Sequence, residues 1–217
     1  MSKKNIIKNF EKIDNEEKAY WLGFLYADGN VSLKEDKIEL SLAEKDLNHI
    51  KKFKNFIGLK NDIRYKEKTK SYRFSFRSQN CKADLIDKGC VPNKSLILNF
   101  PTFDQVPNHF MRHFIRGYFD GDGWFSNNEK TFQIGIIGTE DFIKGFLEQI
   151  PISNKTNKIF TVHRKDGAKR YVFSGLKDVE SFLSYIYDDS FIYLDRKYLN
   201  FLDFKNNGSK YHSLAKE

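Results

Sequence analysis

The sequence predicts an α+β protein built from two pseudo-symmetric repeats, each with the element order αββαββα. Residues 21–29 read WLGFLYADG and residues 115–123 read IRGYFDGDG, so both segments have Gly in third place and end on Asp-Gly. The strands and helices predicted after each segment follow in the same order. The chain has 217 residues, of which 40% are hydrophobic and 16% aromatic, enough for one large domain or two small ones.

The spacing of apolar residues predicts the elements of both repeats. The first repeat is expected to contain a helix over 16–27, strands over 30–34 and 37–43, a helix over 44–57, strands over 62–67 and 71–78, and a helix over 79–88. The second is expected to contain a helix over 108–121, strands over 124–126 and 131–137, a helix over 140–150, strands over 158–164 and 169–174, and a helix over 176–187. A last helix is predicted over 194–204.

The prolines indicate where the two repeats are joined, since three of the four lie in residues 89–107. Residues 1–91 are therefore assigned to the first repeat and residues 92–107 to a linker. Residues 108–217 are assigned to the second repeat together with its C-terminal helix and a polar tail.

The predicted strands alternate apolar and polar residues, as in a sheet with one face on the core. Ile38, Leu40 and Leu42 are expected to face inward, and the outward positions are rich in Arg, Lys and Gln, which contact phosphates and base edges. The candidate nucleic-acid contacts are Lys37, Glu39, Arg64, Lys66, Arg73, Arg77, Gln133 and Arg170. A charged outer face is often only solvated, but two such faces in one basic chain favour a saddle that binds nucleic acid.

Charge and composition exclude several classes of protein. Lys and Arg number 37 against 29 Asp and Glu, and the net charge of +8 favours a polyanionic partner, with solubility alone as the alternative. No apolar stretch approaches the ~18 residues of a membrane span, and the N-terminus lacks the apolar region of a signal peptide. Cys81 and Cys90 form no CxxC pair. We therefore expect a soluble, intracellular protein with no membrane partner.

The two Asp-Gly segments are predicted to be helix ends. Gly29 and Gly123 suit the left-handed position that ends a helix, which places Asp28 and Asp122 in the last turn. The helix dipole disfavours a carboxylate there, so a bound divalent cation would explain the placement. A single Asp-Gly is usually only a turn signal, but two in matching apolar helices are harder to dismiss.

Small residues on both segments predict that the two helices pack together. Gly23 and Ala27 are four residues apart, as are Gly117 and Gly121, and such spacing makes a smooth stripe on which backbones approach closely. The two terminal aspartates would then meet at one end, where Mg²⁺ would relieve their repulsion. Paired carboxylates with a metal suit phosphodiester hydrolysis.

Two other metal motifs are excluded. Residues 120–123 read DGDG but are followed by Trp124 and, at the twelfth position, by Thr131 instead of the Glu of an EF-hand loop. His109 and His113 are four apart without the Glu of a zincin.

The repeated segments and the spacing of the whole chain resemble the single-chain, two-motif LAGLIDADG homing endonucleases. The resemblance implies two four-stranded antiparallel sheets that form a DNA-binding saddle in the major groove. It implies that Asp28 and Asp122 bind Mg²⁺, or Mn²⁺ or Ca²⁺ in its place, together with the backbone carbonyls of Ala27 and Gly121. The implied reaction is a double-strand break with 3′ overhangs in a long, asymmetric site of double-stranded DNA, made by a monomer.

The resemblance also points to residues outside the motifs. Lys94 and Lys197 match the basic residue that the family tends to carry near each active site, although a solvated surface charge is the alternative for both. Glu44 and Thr139 look like the positions just after the second strand of each repeat. The first motif departs from the second in having Tyr26 where Asp120 stands.

A second function on the same scaffold is an RNA maturase that assists intron splicing, or a DNA-binding regulator without cleavage. The presence of both motif aspartates argues against a protein that has lost its activity. A basic structural protein is a third, weaker reading, which the internal repeat makes improbable.

Overall fold

A computed structural model describes residues 10–128, 131–153, 155, 159–162 and 167–207. The predicted strand over 158–164 falls partly outside these residues, and the polar tail from 208 onward lies wholly outside them. Within the described residues, no helix is both long and apolar enough to cross a membrane.

The structure consists of two repeats with the same element order. The first contains α1 (Glu16–Asp28), β1 (Gly29–Val31), β2 (Lys37–Ala43), α2 (Leu47–Ile57), β3 (Arg64–Lys66), β4 (Ser71–Arg77) and α3 (Gln79–Asp87). The second contains α4 (Asn108–Asp122), β5 (Gly123–Asn128), β6 (Thr131–Gly138), α5 (Glu140–Gln149), β7 (Phe160–Thr161), β8 (Lys169–Ser174) and α6 (Leu176–Tyr187), followed by α7 (Asp195–Asn206). The predicted α+β class and αββαββα order are confirmed.

Side-chain caps explain where several helices begin. The side-chain carbonyl of Asn15 accepts a hydrogen bond from the Lys18 N–H at 2.9 Å and so satisfies one of the free donors at the start of α1. The Ser78 hydroxyl does the same for α3 at 3.2 Å. Helix α2 ends at Gly58, whose φ of 76° is the left-handed conformation that favours glycine.

Each repeat forms a four-stranded antiparallel sheet with its own apolar face. The strand order is β1-β2-β4-β3 in the first sheet and β5-β6-β8-β7 in the second. Ile38, Leu40 and Leu42 are buried as predicted. The two sheets have equivalent registers, because Gly29 pairs with Leu40 and Gly123 pairs with Ile136.

The prediction that α1 and α4 end at glycines in the left-handed conformation is wrong. Gly29 has φ −74° and Gly123 has φ −93°, so both are extended and start the next strand. Glycine is required there by close packing instead: a Cβ would lie 2.6 Å from the Leu25 carbonyl oxygen at Gly29 and 2.1 Å from the Phe119 ring at Gly123.

Candidate active site at the ends of the paired helices

Helices α1 and α4 contact each other through their small residues. A Cβ at Gly23 would lie 2.0 Å from the Phe114 carbonyl oxygen, and a Cβ at Gly117 would lie 2.0 Å from the Tyr20 carbonyl oxygen. The two backbones therefore approach too closely for any side chain at these positions. Near the helix ends, a Cβ at Gly121 would lie 2.3 Å from the Cβ of Ala27. The structure thus places all four predicted small residues in this contact.

The close contact brings Asp28 and Asp122 to one end of the helix pair. Each is the last residue of its helix. The position of a Cβ on Gly121 would be 3.3 Å from Asp28 Oδ2, so the Asp28 carboxylate reaches α4. Both carboxylates lie close enough to Tyr118 to affect its pKa. Burial raises this pKa well above its ordinary value, and the negative charges of Asp122 and Asp28 raise it further.

Asp28 is an exposed residue, yet its carboxyl group lies among many protein atoms. This crowding raises the pKa of Asp28, while Lys197 and Lys94 oppose the rise. The site therefore contains two carboxylates, Asp28 and Asp122, and two lysine cations that partly balance their charge.

Lys94 and Lys197 occupy equivalent places beside the two helix ends. The Lys197 ammonium donates to the carbonyl oxygens of Phe119 and Gly123, both at 2.5 Å, and the Lys94 ammonium donates to the carbonyl oxygen of Gly29. Gly29 and Gly123 are the residues that follow the two aspartates. Each lysine thus binds the negative end of a helix dipole beside a carboxylate.

Lys197 is the more buried of the two lysines, with 7% of its surface exposed. Burial lowers the pKa of Lys197 to about 8, although the charges of Asp120, Asp28 and Asp122 act in the opposite direction. Lys197 is therefore a cation whose charge depends on pH just above neutrality.

Tyr26 and Asp120, where the two motifs differ, each fix the segment that leads to one lysine. The Tyr26 hydroxyl donates to the Lys88 carbonyl oxygen, six residues before Lys94. The buried Asp120 carboxylate accepts the Leu194 N–H at 2.7 Å, three residues before Lys197.

Two tyrosines complete the shell around Asp120. Tyr20 donates a hydrogen bond to the carboxylate at 2.7 Å and Tyr187 donates another at 2.5 Å. This structural role of Asp120 was not predicted from the sequence, where the available signal was a carboxylate directly after Tyr118 and Phe119 in a helix.

An ion pair near Asp28 was also not predicted from the sequence. Arg196 Nε lies 3.0 Å from Asp46 Oδ1. Asp46 raises and Arg196 lowers the pKa of Asp28. The two partners are 150 residues apart in the chain, and no local pattern connects them.

Glu44 and Thr139 are not equivalent, contrary to the expectation from the resemblance. The registers of the two sheets align Ala43 with Thr139 and Glu44 with Glu140. The Thr139 hydroxyl accepts the Phe142 N–H at 3.1 Å and caps α5. Glu44 is exposed and 3.5 Å from the Tyr65 hydroxyl.

A cavity of about 180 Å³ adjoins Asp122. Ala27, Lys94 and Thr139 also line it. In the part of the chain that the structure describes, no three or more His, Cys, Asp or Glu side chains are grouped as for a metal ion. Carboxylate and carbonyl oxygens are nevertheless the ligands that Mg²⁺ prefers, and it keeps several waters or phosphate oxygens. The two carboxylates at the ends of the paired helices fit such an ion.

The predicted nucleic-acid contacts lie on the outer faces of the two sheets, the faces turned away from the core. On the first sheet these are Lys37, Glu39, Arg64, Lys66, Arg73 and Arg77, and on the second they are Gln133 and Arg170. The registers confirm that Arg170 occupies the position of Arg73, since they pair with the equivalent residues Ile137 and Ser41. Glu39 holds two of the cations, with Lys37 at 2.7 Å and Arg73 at 3.3 Å.

Comparisons with known proteins agree with the resemblance. Residues 109–187 match the family model of the LAGLIDADG-like domain. No curated protein sequence matches the chain significantly.

Solved structures match both halves. The LAGLIDADG homing endonuclease I-GzeII in complex with its DNA target matches with a TM-score of 0.62 and 12% identity over 93% of this chain and 92% of that chain. The LAGLIDADG meganuclease I-AabMI bound to uncleaved DNA matches with a TM-score of 0.61 and 15% identity over 92% of both chains. The N-terminal LAGLIDADG domain of DUF199/WhiA matches with a TM-score of 0.52 and 15% identity over 83% of this chain and 85% of that chain.

Proposed function

Because the second repeat matches a LAGLIDADG-like domain and the chain has the fold of LAGLIDADG homing endonucleases, we propose that this protein is a site-specific DNA endonuclease. It makes a double-strand break with 3′ overhangs in a long, asymmetric site. One chain supplies both halves of the saddle and both aspartates, so it acts as a monomer.

One observation carries the proposal: Asp28 and Asp122 end two helices that touch, and a lysine binds the carbonyl of the glycine after each. A structural role alone would not require two carboxylates at the negative ends of helix dipoles. A phosphodiester placed at these helix ends would lie beside two carboxylates, each with an ammonium group nearby.

In the proposed reaction the aspartates and the lysines have different roles. Asp28 and Asp122, with the carbonyls of Ala27 and Gly121, would hold Mg²⁺, which supplies an activated water and neutralises charge on the phosphate. The Lys94 and Lys197 ammonium groups stabilise the extra negative charge that develops on the phosphate oxygens.

The proposal is tested by replacing each aspartate separately. We expect Asp28→Asn and Asp122→Asn each to lower the rate of double-strand cleavage by at least about a thousandfold, or about 4 kcal/mol in the barrier. DNA affinity should change by less than about tenfold, because most of the binding energy comes from phosphate contacts on the sheets. Cleavage of a labelled target and binding in Ca²⁺ are measured in parallel.

Asp104→Asn is the matched control, because Asp104 is an exposed linker residue that lies outside the site. It should cleave at the wild-type rate. Undiminished cleavage by either site variant would refute the assigned roles. Tight binding of DNA or RNA by the wild type without cleavage would favour a regulator or a maturase, and an intron RNA would then be the partner to test.

A further inference from the structure

The outer faces of the two sheets differ in chemistry at equivalent positions. The registers give most outward residues of the first sheet a counterpart in the second. Three polar residues of the first sheet are replaced by apolar ones in the second: Asn30 by Trp124, Ser41 by Ile137, and Ser75 by Val172. At these three positions the second outer face is therefore apolar where the first is polar, although the two backbones are equivalent.

The centre of the second outer face is covered by a tryptophan. Trp124 pairs with Gly135, and a Cβ on Gly135 would lie 2.2 Å from Trp124 Cε2, so the indole lies directly over the glycine. Where the second sheet has Gly135, the first sheet has Glu39, which forms ion pairs with Lys37 and Arg73. The outer face of the first sheet therefore has ion pairs at this position, and that of the second sheet has the indole ring of Trp124.

The apolar residues of the second outer face remain accessible. Trp124, Ile137 and Val172 are partly exposed, and Phe160 is 46% exposed. The Arg170 guanidinium lies 5.9 Å from the Phe160 ring centroid, so this face keeps a cation beside its apolar patch. Phe160 itself stands where the first sheet has Arg64.

We propose that the second sheet reads its DNA half-site mainly through thymine methyl groups, whereas the first sheet reads its half-site by hydrogen bonds from Arg and Lys. This inference rests on the proposed DNA-binding function. The C5-methyl of thymine is the apolar group that a base pair presents in the major groove. Side chains such as Ile137 and Val172 cannot pair with the acceptors of guanine, and covering these acceptors without a partner would cost free energy. The half-site under the second sheet is therefore rich in thymine.

Uracil substitution tests this directly, because uracil is thymine without the methyl group. The target is first selected from a DNA library by binding in Ca²⁺. Thymines are then replaced by uracil in one half-site at a time. We expect about fourfold weaker binding for each methyl that the second sheet buries and about fifteenfold for two. Uracil in the other half-site should change the dissociation constant by less than about twofold.

Variants identify which sheet is responsible. Val172→Thr keeps the shape and strand propensity of the side chain but replaces a methyl by a hydroxyl. It should reduce the uracil effect at one thymine of the sensitive half-site, as measured by a double-mutant cycle. Ser75→Ala, at the equivalent position of the first sheet, is the control and should leave the uracil effect unchanged. Thermal unfolding of each variant checks the fold.

The possible results separate the inference from the function on which it rests. A single uracil-sensitive half-site whose sensitivity is reduced by Val172→Thr supports the inference. Equal sensitivity of both half-sites, or sensitivity that responds only to Ser75→Ala, overturns it while DNA binding stands. Failure of the wild type to select any DNA refutes the proposed function and the inference with it.

Discussion

The protonation of Lys197 changes with pH, which allows a test of whether its positive charge assists cleavage. The pKa of Lys197 is lowered to about 8 because the ammonium is buried between the end of α4 and the start of α7. A base with a pKa of about 8 is ~90% protonated at pH 7 and ~10% protonated at pH 9. If the positive charge assists cleavage, its contribution should fall about tenfold over this range, and the loss should occur as the pH rises.

The assay compares the wild type with Lys197→Arg, whose guanidinium stays charged throughout this range. Single-turnover cleavage rates are measured at saturating enzyme from pH 6.5 to 9.5. Other groups, including the attacking water, also change with pH, and they affect both proteins equally. The ratio of wild-type to variant rate should therefore be constant below pH 7 and fall about tenfold by pH 9.

A constant ratio across the whole range would refute this reasoning. Lys94→Arg is the matched control, since Lys94 is equivalently placed but only half-buried. NMR titration of ¹³Cε-labelled lysine in the wild type measures the pKa without relying on the fold of a variant. A Lys197 pKa near its ordinary value would contradict the structural argument even if the rates agreed.

Two further predictions concern stability. Gly117→Ala should lower the free energy of unfolding by at least about 2 kcal/mol, because the new Cβ would lie 2.0 Å from the Tyr20 carbonyl oxygen in a contact between two backbones; urea denaturation measures the loss, and a change below about 0.5 kcal/mol would contradict the close helix contact. Burial lowers the pKa of His49 to about 3 from its ordinary 6.5, so the unfolded chain binds a proton at this site more readily. Stability should therefore be lost as the pH falls below 6.5, by about 1.4 kcal/mol per pH unit from this residue. His49→Gln should show a shallower pH dependence in chemical denaturation, and an unchanged slope would refute the assignment.

The order and type of the elements could be predicted from the sequence because apolar periodicity dominates each of them. Helix α6 and strand β8 have the predicted bounds, Leu176–Tyr187 and Lys169–Ser174. The pairing of α1 with α4 could also be anticipated, since glycine four residues from another small residue has few explanations other than close approach.

The conformation of the glycines could not be predicted in the same way. Glycine serves both a left-handed turn and a close contact, and the sequence does not distinguish them. At Gly58 the turn explanation holds, whereas at Gly29 and Gly123 the contact explanation does.

The aspartates of the candidate site were identified by the repeat, and the lysines only by resemblance to a family. Asp120 and the Asp46–Arg196 pair were missed because their roles depend on contacts across the chain. Asp120 meets Leu194 74 residues away, and Asp46 meets Arg196 150 residues away. The spacing of residues along the chain does not indicate such contacts. The equivalence of Lys94 and Lys197 is evident only in the structure, where they bind the carbonyl oxygens of Gly29 and Gly123, the residues after the two aspartates.

The most direct test of the central claim is a cleavage-site selection from a DNA library. The wild type and the double variant Asp28→Asn/Asp122→Asn are incubated with the library, with and without Mg²⁺, and the new ends are sequenced. The account predicts breaks with 3′ overhangs at one long sequence, for the wild type and only with Mg²⁺. Retention of DNA without breaks, or the same breaks from the double variant, would contradict it.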